Sequence, residues 1–325
     1  MNDAHSQWRG TLNDLRGMTD QLKHLIRQEA TRIGFSHCGI APYDTFEELR
    51  PFYTRFLHDG GHARFSYLET NLEKRIRPDL LLEGTRSVIA LLLNYFPREI
   101  IPEKDNFIIS KYAYGKDYKK VIGKKLKELI TVTGLDSGEN RSRAFVDSGP
   151  VLEKAWAQRC GVGWQGKNTL IINRSGGSFF FIGIILTTCD LEPDAPEHDH
   201  CGSCRICTDA CPTGALDTPY RLNIRRCISY LTIESRQIIP LDLSGKLKDR
   251  IYGCDICQDV CPYNRFARPN MIPEFNPNEK LFRLRKKDWR ALTEQEFEEI
   301  FQGTPVQRPG YQNLKKNIGI DDLSP

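Results

Sequence analysis

The segment Cys201-Gly-Ser-Cys204-Arg-Ile-Cys207-Thr-Asp-Ala-Cys211-Pro212 decides how the second half of the chain folds. Its spacing is C-x2-C-x2-C-x3-C-P, in which three closely spaced thiolates let one tight loop wrap three corners of a [4Fe-4S] cubane. In such a run the fourth cysteine binds a different cluster. The segment therefore predicts two clusters, and it requires further cysteines elsewhere in the chain.

These further cysteines are Cys227 and the run Cys254-Asp-Ile-Cys257-Gln-Asp-Val-Cys261-Pro262, and Cys227 stands 27 residues before Cys254. Eight ligands suit two [4Fe-4S] clusters in a module of the bacterial ferredoxin type. Because the last cysteine of each run crosses to the other cluster, we expect two sets of four. The first set is Cys201, Cys204, Cys207 and Cys261, and the second set is Cys211, Cys227, Cys254 and Cys257.

Two other uses of these cysteines are weighed against clusters. A disulfide framework is disfavoured because a chain of 325 residues without a signal peptide is expected in a reducing compartment, where disulfides rarely persist. Paired zinc sites are the remaining alternative, since C-x2-C also holds zinc tetrahedrally. The crowded C-x2-C-x2-C loop and the two Cys-Pro endings favour clusters. Cys38, Cys160 and Cys189 have no partner at ligand spacing, and we expect ordinary buried thiols there.

The overall composition is that of a folded protein, with 39% hydrophobic and 27% charged residues. The longest apolar runs, 88–93 and 179–186, are far shorter than the roughly 18 residues that cross a bilayer. The N-terminus is polar and lacks an apolar signal segment, so we expect a cytoplasmic protein. A net charge of +4 is compatible with a polyanionic partner but does not require one.

Hydrophobic spacing divides the chain into three parts. Helical patterns cover 20–32, 118–129 and 151–159, and β-prone runs cover 87–93, 144–147 and 179–187. This alternation predicts an α/β or α+β domain built on one sheet over residues 1–190, and we expect the α+β class. The composition changes after Thr188, which predicts a cysteine-rich domain over 191–268. We expect a C-terminal segment over 269–325 with one closing helix near 292–301.

Three features of the sequence carry weaker signals. Gly161-Val-Gly-Trp-Gln-Gly-Lys-Asn168 imitates nucleotide-binding loops, but it follows a helix and has Asn168 where a P-loop needs Ser or Thr. Such a glycine loop still suits close approach to a large planar ligand. Asp147 ends a predicted strand, and spacing alone favours a helix N-cap or turn residue there over a general acid. The basic clusters at 119–127 and 283–290 suit either solvated faces or phosphate contacts.

Five segments together resemble the epoxyqueuosine reductase family. They are Lys111–Tyr118, Asp147–Ala155, Gly161–Asn168, Cys227–Glu234 and Arg250–Pro262, and the resemblance extends from about residue 20 to about residue 320. It implies a cobalamin-dependent iron–sulfur enzyme that reduces the epoxide on the modified wobble base of a tRNA to an alkene. It also implies a nitroreductase-like sheet domain that holds cobalamin, with the ferredoxin-type module supplying electrons from an external single-electron donor such as flavodoxin or ferredoxin to a monomeric enzyme.

The resemblance also implies roles for individual residues. Asp147 is similar in position to the family's proton donor, and Arg236 falls at a tRNA-contact position. In the mechanism that the resemblance implies, reduced cobalamin acts as a nucleophile while Asp147 protonates the departing epoxide oxygen. The positions that match the family's cobalamin pocket are Thr70, Ser110, Asp147, Gly166, Ile171, Ile182, Ser229, Cys254 and Asp255.

Two other functions stay open on the sequence alone. One is a non-catalytic iron–sulfur electron-transfer protein, which would bind two clusters and no corrin. The other is a cobalamin-dependent reductase of another substrate, such as an organohalide. The sequence has no D-x-H-x-x-G cobalamin motif, so cobalamin is implied by the resemblance only. Many family members also continue into a helical-repeat extension beyond the position of Ile318, and we expect weaker tRNA binding without it.

Overall fold

A computed structural model describes residues 19–319 of the chain. The helices are α1 (19–33), α2 (Arg50–His58), α3 (Leu72–Ile76), α4 (Tyr118–Thr133), α5 (Glu153–Arg159), α6 (Ile206–Asp209), α7 (Ile228–Ile233), α8 (Leu241–Ser244), α9 (Ile256–Asp259), α10 (Glu279–Arg283), α11 (Lys286–Ala291), α12 (Glu294–Phe301) and α13 (Tyr311–Gly319). The strands are β1 (His37–Pro42), β2 (Ser87–Asn94), β3 (Ile108–Ile109), β4 (Ser142–Phe145), β5 (Trp164–Gln165), β6 (Ile171–Ile172), β7 (Phe180–Thr187) and β8 (Arg250–Tyr252). The polar N-terminal segment, on which the expected lack of a signal peptide depends, lies outside these residues.

An antiparallel sheet in the order β1-β2-β7-β4 forms the centre of the first half. The predicted central strand at 87–93 is confirmed, since β2 has neighbours on both edges and only its last residue is not buried. Helices cover both faces, which explains why β2 is apolar at successive positions instead of alternating with polar residues. The predicted mixture of helix and sheet is likewise confirmed.

Alternate residues of β2 serve two separate apolar layers. Ile89 and Leu91 face a layer that includes Ile26 of α1 and Leu126 of α4. Ala90 and Leu92 face the opposite layer, which includes Trp156 of α5. Burying large side chains on both faces holds α4 and α5 against the sheet, and these two helices carry the charged groups described below.

The cysteine-rich segment consists of short turns and the short helices α6 to α9, and the one-turn helices α6 and α9 contact each other. It is joined to the first half by β8, which pairs in parallel with β3. Gly253, immediately after β8, has a φ of 73°, a left-handed conformation that glycine adopts without steric cost. A Cβ atom there would lie 2.5 Å from the Cβ of Ser110, so glycine is required by close packing as well.

The C-terminal segment differs from the prediction of one closing helix. Four helices, α10 to α13, occupy it within the described residues. The prediction was wrong because separate capping signals divide the segment: Asn278 caps α10, and Thr293 forms a capping box with Glu296 at α12. These helices bury Trp289, Phe297 and other apolar side chains against residues 101–114 of the first half.

The sequence also predicts that no segment crosses a membrane. In the part of the chain that the structure describes, no helix combines the length and the apolar character needed to cross a bilayer.

Candidate functional site

The first predicted set of thiols surrounds one cavity. Cys201, Cys204, Cys207 and Cys261 all line a space of about 280 Å³. The tight loop is held in place by Lys167, whose ammonium donates to the carbonyls of Gly202 at 2.5 Å and of Cys204 at 2.8 Å. All four side chains thus face one space although Cys261 is far from the others in sequence.

The members of the second predicted set influence one another electrostatically. Cys227 precedes α7, and the backbone N–H groups of Ser229 and Tyr230 point at its sulfur. Electrostatic interaction links Cys227 with Cys211, and Cys254 with Cys227. Burial raises the pKa of the Cys254 thiol to about 12. Metal binding by these thiols must therefore release protons.

The size of the cavity that the first set of thiols lines helps to distinguish an iron–sulfur cluster from a zinc ion. A zinc ion binds sulfur at about 2.3 Å, so four thiolates would close around a point. Within residues 19–319, no three His, Cys, Asp or Glu side chains converge on one such point. The four thiols of the first set instead border a space of about 280 Å³. A multi-iron cluster fits that arrangement, and all cysteines are free of disulfide bonds.

Asp147 lies on the loop between β4 and α5, two residues beyond the end of the strand. Its φ of 55° is in the left-handed region, which Asp tolerates better than most residues with a Cβ. The N-cap position of α5 is Leu152. Of the two roles that spacing alone favours for Asp147, the N-cap role is therefore wrong. The turn role agrees with the left-handed backbone and with the hydrogen bond from the Ser148 N–H to the Val146 carbonyl.

The Asp147 carboxylate is held by two side chains of α4. The Tyr118 hydroxyl donates to it at 2.7 Å, and the Lys119 ammonium pairs with it at 2.7 Å. The Tyr118 ring stacks on Phe181 with centroids 4.2 Å apart, and burial raises the pKa of this phenol above its usual range. About half of the Asp147 side chain stays exposed, so an approaching molecule can reach it.

Two residues with ionisable side chains at the start of α5, Glu153 and Lys154, lie next to Asp147. Glu153 is half-buried and accepts a hydrogen bond from the Asp147 backbone N–H at 2.5 Å. Burial raises the pKa of the Glu153 carboxyl to about 8. Lys154 donates to the carbonyl of Thr169 at 2.8 Å. Although Lys154 is reachable by solvent, the surrounding protein lowers the pKa of its amine, as expected in a depression of the surface.

The depression extends from Asp147 to the second set of thiols. Lys154 is electrostatically coupled to both Cys257 and Cys227. On the sheet side, β4 pairs with β7 as far as Phe145 opposite Ile184, and continuing this register brings Asp147 level with Ile182. Ile182 is only partly buried although β7 is a central strand. A partly buried apolar side chain, the Asp147 carboxyl group and Lys154, which the second set influences electrostatically, thus lie on the same side of the sheet edge.

The other predicted contact residues fall into three groups. Ser110 and Asp255 are buried and hydrogen-bonded to each other beside Cys254, and Asp255 also accepts from the Lys111 N–H at 2.8 Å. Gly166 and Ile171 belong to the β5–β6 hairpin, where a Cβ on Gly166 would lie 2.4 Å from Ile172. Single positions complete the set: Thr70 is exposed, Ser229 lies in the first turn of α7, and Arg236 is exposed and donates to the Pro309 carbonyl at 2.9 Å.

Sequence reasoning did not identify Tyr118, Lys119, Glu153 or Lys154 as neighbours of Asp147. Lys119 belonged to a basic cluster that suits a solvated face, and Glu153 belonged to a quoted segment without a role of its own. Their contacts with Asp147 depend on how α4 and α5 pack on the sheet. An acidic residue in the first turn of the helix that follows the strand was the only signal available in the sequence.

Two protein-family models match the chain. The model described as "Epoxyqueuosine reductase QueG, DUF1730" matches residues 75–148. The model described as "4Fe-4S double cluster binding domain" matches residues 200–264. The second match contains both predicted thiol sets, from Cys201 to Cys261.

Curated relatives cover nearly the whole described chain. The epoxyqueuosine reductase of Cellulophaga algicola is 45% identical over 303 residues, which is 93% of this chain and 99% of the relative. The epoxyqueuosine reductase of Escherichia coli K12 is 36% identical and covers 93% of this chain and 80% of the relative.

Solved structures of similar sequence have the same fold. A crystal structure of epoxyqueuosine reductase with a tRNA-Tyr epoxyqueuosine-modified stem loop matches with a TM-score of 0.85 and 33% identity, over 93% of this chain and 81% of that one. A structure of the Bacillus subtilis enzyme, in which the catalytic aspartate loop is swung out of the active site, matches with a TM-score of 0.83 and 32% identity, over 93% of this chain and 81% of that one.

Proposed function

The chain belongs to the epoxyqueuosine reductase family, and we propose that it reduces epoxyqueuosine to queuosine at the wobble position of a tRNA. The observation that carries the proposal is the position of Lys154, which is influenced electrostatically by Asp147 and also by Cys227 and Cys257 of the second set. An acid beside an electron-carrying centre is what a reductive loss of an epoxide oxygen requires. The chain is therefore an oxidoreductase.

Two [4Fe-4S] clusters carry the electrons. We assign Cys201, Cys204, Cys207 and Cys261 to the outer cluster, because they share the cavity of about 280 Å³. Cys211, Cys227, Cys254 and Cys257 hold the inner cluster beside the depression. We therefore propose a catalytic domain at 1–190, a cluster domain at 191–268 and a helical segment at 269–325.

The depression also suits cobalamin. Partly uncovered Ile182 and the exposed ring of Tyr67 offer apolar surface for a large planar ligand. The residues that would hold it are Ile182, Thr70, Ser229 and the Gly166–Ile171 hairpin, with Ser110 and Asp255 supporting the loop of Cys254 from beneath. When bound, cobalamin supplies a cobalt centre that delivers electrons to a substrate carbon.

Asp147 supplies the proton in this proposal. Half of its side chain is open to the depression, and Tyr118 and Lys119 fix the position of its carboxyl group. A carboxyl group that faces a site closed by large ligands holds a proton more readily than one in water. Asp147 then donates to the epoxide oxygen as the C–O bond breaks.

The tRNA substrate has a basic edge available to it. Arg236 is exposed, and Lys316 lies close enough that Arg236 contributes to lowering the pKa of its amine. Cationic side chains position nucleic acids through their phosphates. We assign Arg236 to the anticodon stem loop on this basis, in line with the tRNA stem loop bound to the relative.

An external donor delivers the electrons one at a time. The rim of the outer cavity includes Arg265, whose guanidinium lies over the Phe266 ring at 4.6 Å. A cationic rim favours an acidic carrier protein of the flavodoxin or ferredoxin kind. We propose that the enzyme works as a cytoplasmic monomer that meets this carrier at the rim.

The test is an anaerobic purification with cobalamin supplied, followed by iron and cobalt analysis and an assay on tRNA that carries epoxyqueuosine. We expect about eight irons and one cobalt per chain, and a product nucleoside one oxygen atom lighter. Eight irons without cobalt binding would favour a plain electron-transfer protein. Cobalt binding without conversion of the modified tRNA would favour a cobalamin reductase of another substrate.

A further inference from the structure

The Asp147 carboxyl group is held by two neighbouring side chains. It pairs with the Lys119 ammonium at 2.7 Å and accepts a hydrogen bond from the Tyr118 hydroxyl at 2.7 Å. Conversion of an epoxide to an alkene and water consumes two protons, and one carboxyl group carries only one. A second proton must therefore come from another group near Asp147.

Glu153 is the carboxyl group next to Asp147. One of its oxygens lies 2.5 Å from the Asp147 backbone nitrogen, and the two side chains influence each other electrostatically. Both neighbouring lysines bind elsewhere, Lys119 to Asp147 and Lys154 to the Thr169 carbonyl. Among the described residues Glu153 forms no salt bridge. Its burial outweighs the electrostatic influence of Lys119 and Lys154 and favours the neutral acid.

We propose that Glu153 is a positioning residue that stores a proton for Asp147 and holds the loop that carries Asp147 through its backbone amide. The inference rests on the proposed function. The groups that act on Glu153 are Asp147 on its loop, Tyr118 and Lys119 on α4, and Lys154 on α5. Burial raises the pKa of Glu153 to about 8, so it keeps its proton at neutral pH.

The stored proton completes the balance of the reaction. Conversion of an epoxide to an alkene and water consumes two electrons, from the external donor, and two protons. The first proton goes from Asp147 to the epoxide oxygen as one C–O bond breaks, which leaves a hydroxyl group. Glu153 then passes its proton to Asp147, which gives it to the hydroxyl as the second C–O bond breaks and water departs. Solvent afterwards restores both protons.

Glu153→Gln tests the proposal, because glutamine keeps the oxygen that accepts the Asp147 N–H but cannot store a proton. The wild-type single-turnover rate should fall as the pH rises through about 8, where Glu153 loses its proton. In the variant the fall should move to lower pH, with at least a tenfold loss at pH 7 and near wild-type rates at the lowest pH tolerated. A uniform loss at every pH would indicate a structural role only and would overturn the proposal.

A second measurement is independent of turnover. In protein without tRNA, the infrared band of a protonated carboxyl group should disappear on titration through about pH 8 and should be missing in Glu153→Gln. In Asp147→Asn the band should persist but titrate at lower pH, because the charge of Asp147 contributes to the raised pKa of Glu153. Absence of the band at pH 7 in the wild type would refute the stored proton even if the enzyme reduces tRNA. Conversely, the band remains readable if the proposed reaction is wrong.

Discussion

Asp147 combines a left-handed backbone with a carboxyl group held by Tyr118 and Lys119. Positions of this kind persist where the surrounding structure holds them, and they occur often at functional sites. Here Glu153 holds the backbone N–H and α4 holds the side chain. Two helices that are far apart in sequence, α4 and α5, thus hold the loop that carries Asp147.

Asp147→Asn should remove the proton donor and leave the cofactors in place. The amide is nearly the same size as the carboxyl group but cannot transfer a proton, so we expect turnover to fall by about 10²- to 10⁴-fold. Iron, cobalt and tRNA binding should stay at wild-type values, because no cluster ligand changes. Single-turnover kinetics with the modified tRNA measure the effect, and a variant with full activity would remove Asp147 from the mechanism.

The sequence identified the eight cysteines at the residue scale because their spacing alone encodes the loop geometry. It did not identify the partners of Asp147. Tyr118 lies 29 residues before Asp147, and only the packing of α4 against β7 brings the two together. Spacing also favoured a capping role for Asp147, which the structure contradicts because Leu152 stands at the N-cap of α5.

At the scale of elements, the contact between α5 and β1 sets the position of Glu153. The end of α5 packs directly on the backbone of β1 at Gly39, where an added Cβ would lie 1.9 Å from the carbonyl oxygen of Cys160. A side chain at this position cannot be accommodated unless α5 moves. Gly39 is therefore needed for close approach of helix and strand.

Gly39→Ala should destabilise the protein by about 1–3 kcal/mol, because the new methyl group overpacks the contact. A matched control is Gly123→Ala in α4, where an added Cβ meets no atom within 4 Å, and which should stabilise by up to ~1 kcal/mol. Thermal unfolding under anaerobic conditions compares the two variants. Equal unfolding midpoints for the two variants would show that α5 does not pack against β1 as described.

Sequence patterns located most of these elements but not their arrangement. Continuous apolar runs predicted β2 and β7, because a strand buried on both faces needs them. The order β1-β2-β7-β4 depends on pairing between strands far apart in sequence, which no local pattern encodes. Only one helix was predicted in the C-terminal segment. The helical pattern near α12 is strong, whereas the patterns of the neighbouring helices are weaker and were not recognised.

For the whole molecule, the proposed assignment of the two thiol sets predicts a direction for electron flow. The outer set borders a cavity with a cationic rim, and the inner set borders the depression that contains Asp147. Electrons that enter at the rim therefore pass the outer cluster first. The proposed carrier protein and the tRNA then approach different parts of the surface.

Arg265→Glu should slow reduction of the clusters by an acidic carrier protein by about tenfold at low ionic strength, because charge steering is lost. The difference should shrink as salt is added. Reduction by dithionite, which needs no docking, should not change. Arg55→Glu is the matched control, since Arg55 is highly exposed on α2 and does not line the cavity. Equal rates for the two variants with the carrier protein would place docking elsewhere.

Interleaving of the two thiol sets also governs how the protein is made. The ribosome releases the chain from the N-terminus, and domains generally fold as they emerge. In the assignment above, the outer cluster needs Cys261 and the inner cluster needs Cys257, so neither site is complete until both runs have left the exit tunnel. Iron–sulfur delivery is consequently a late event in biogenesis, and a nascent chain interrupted before Cys254 carries five thiols of these sets and no finished site for either cluster.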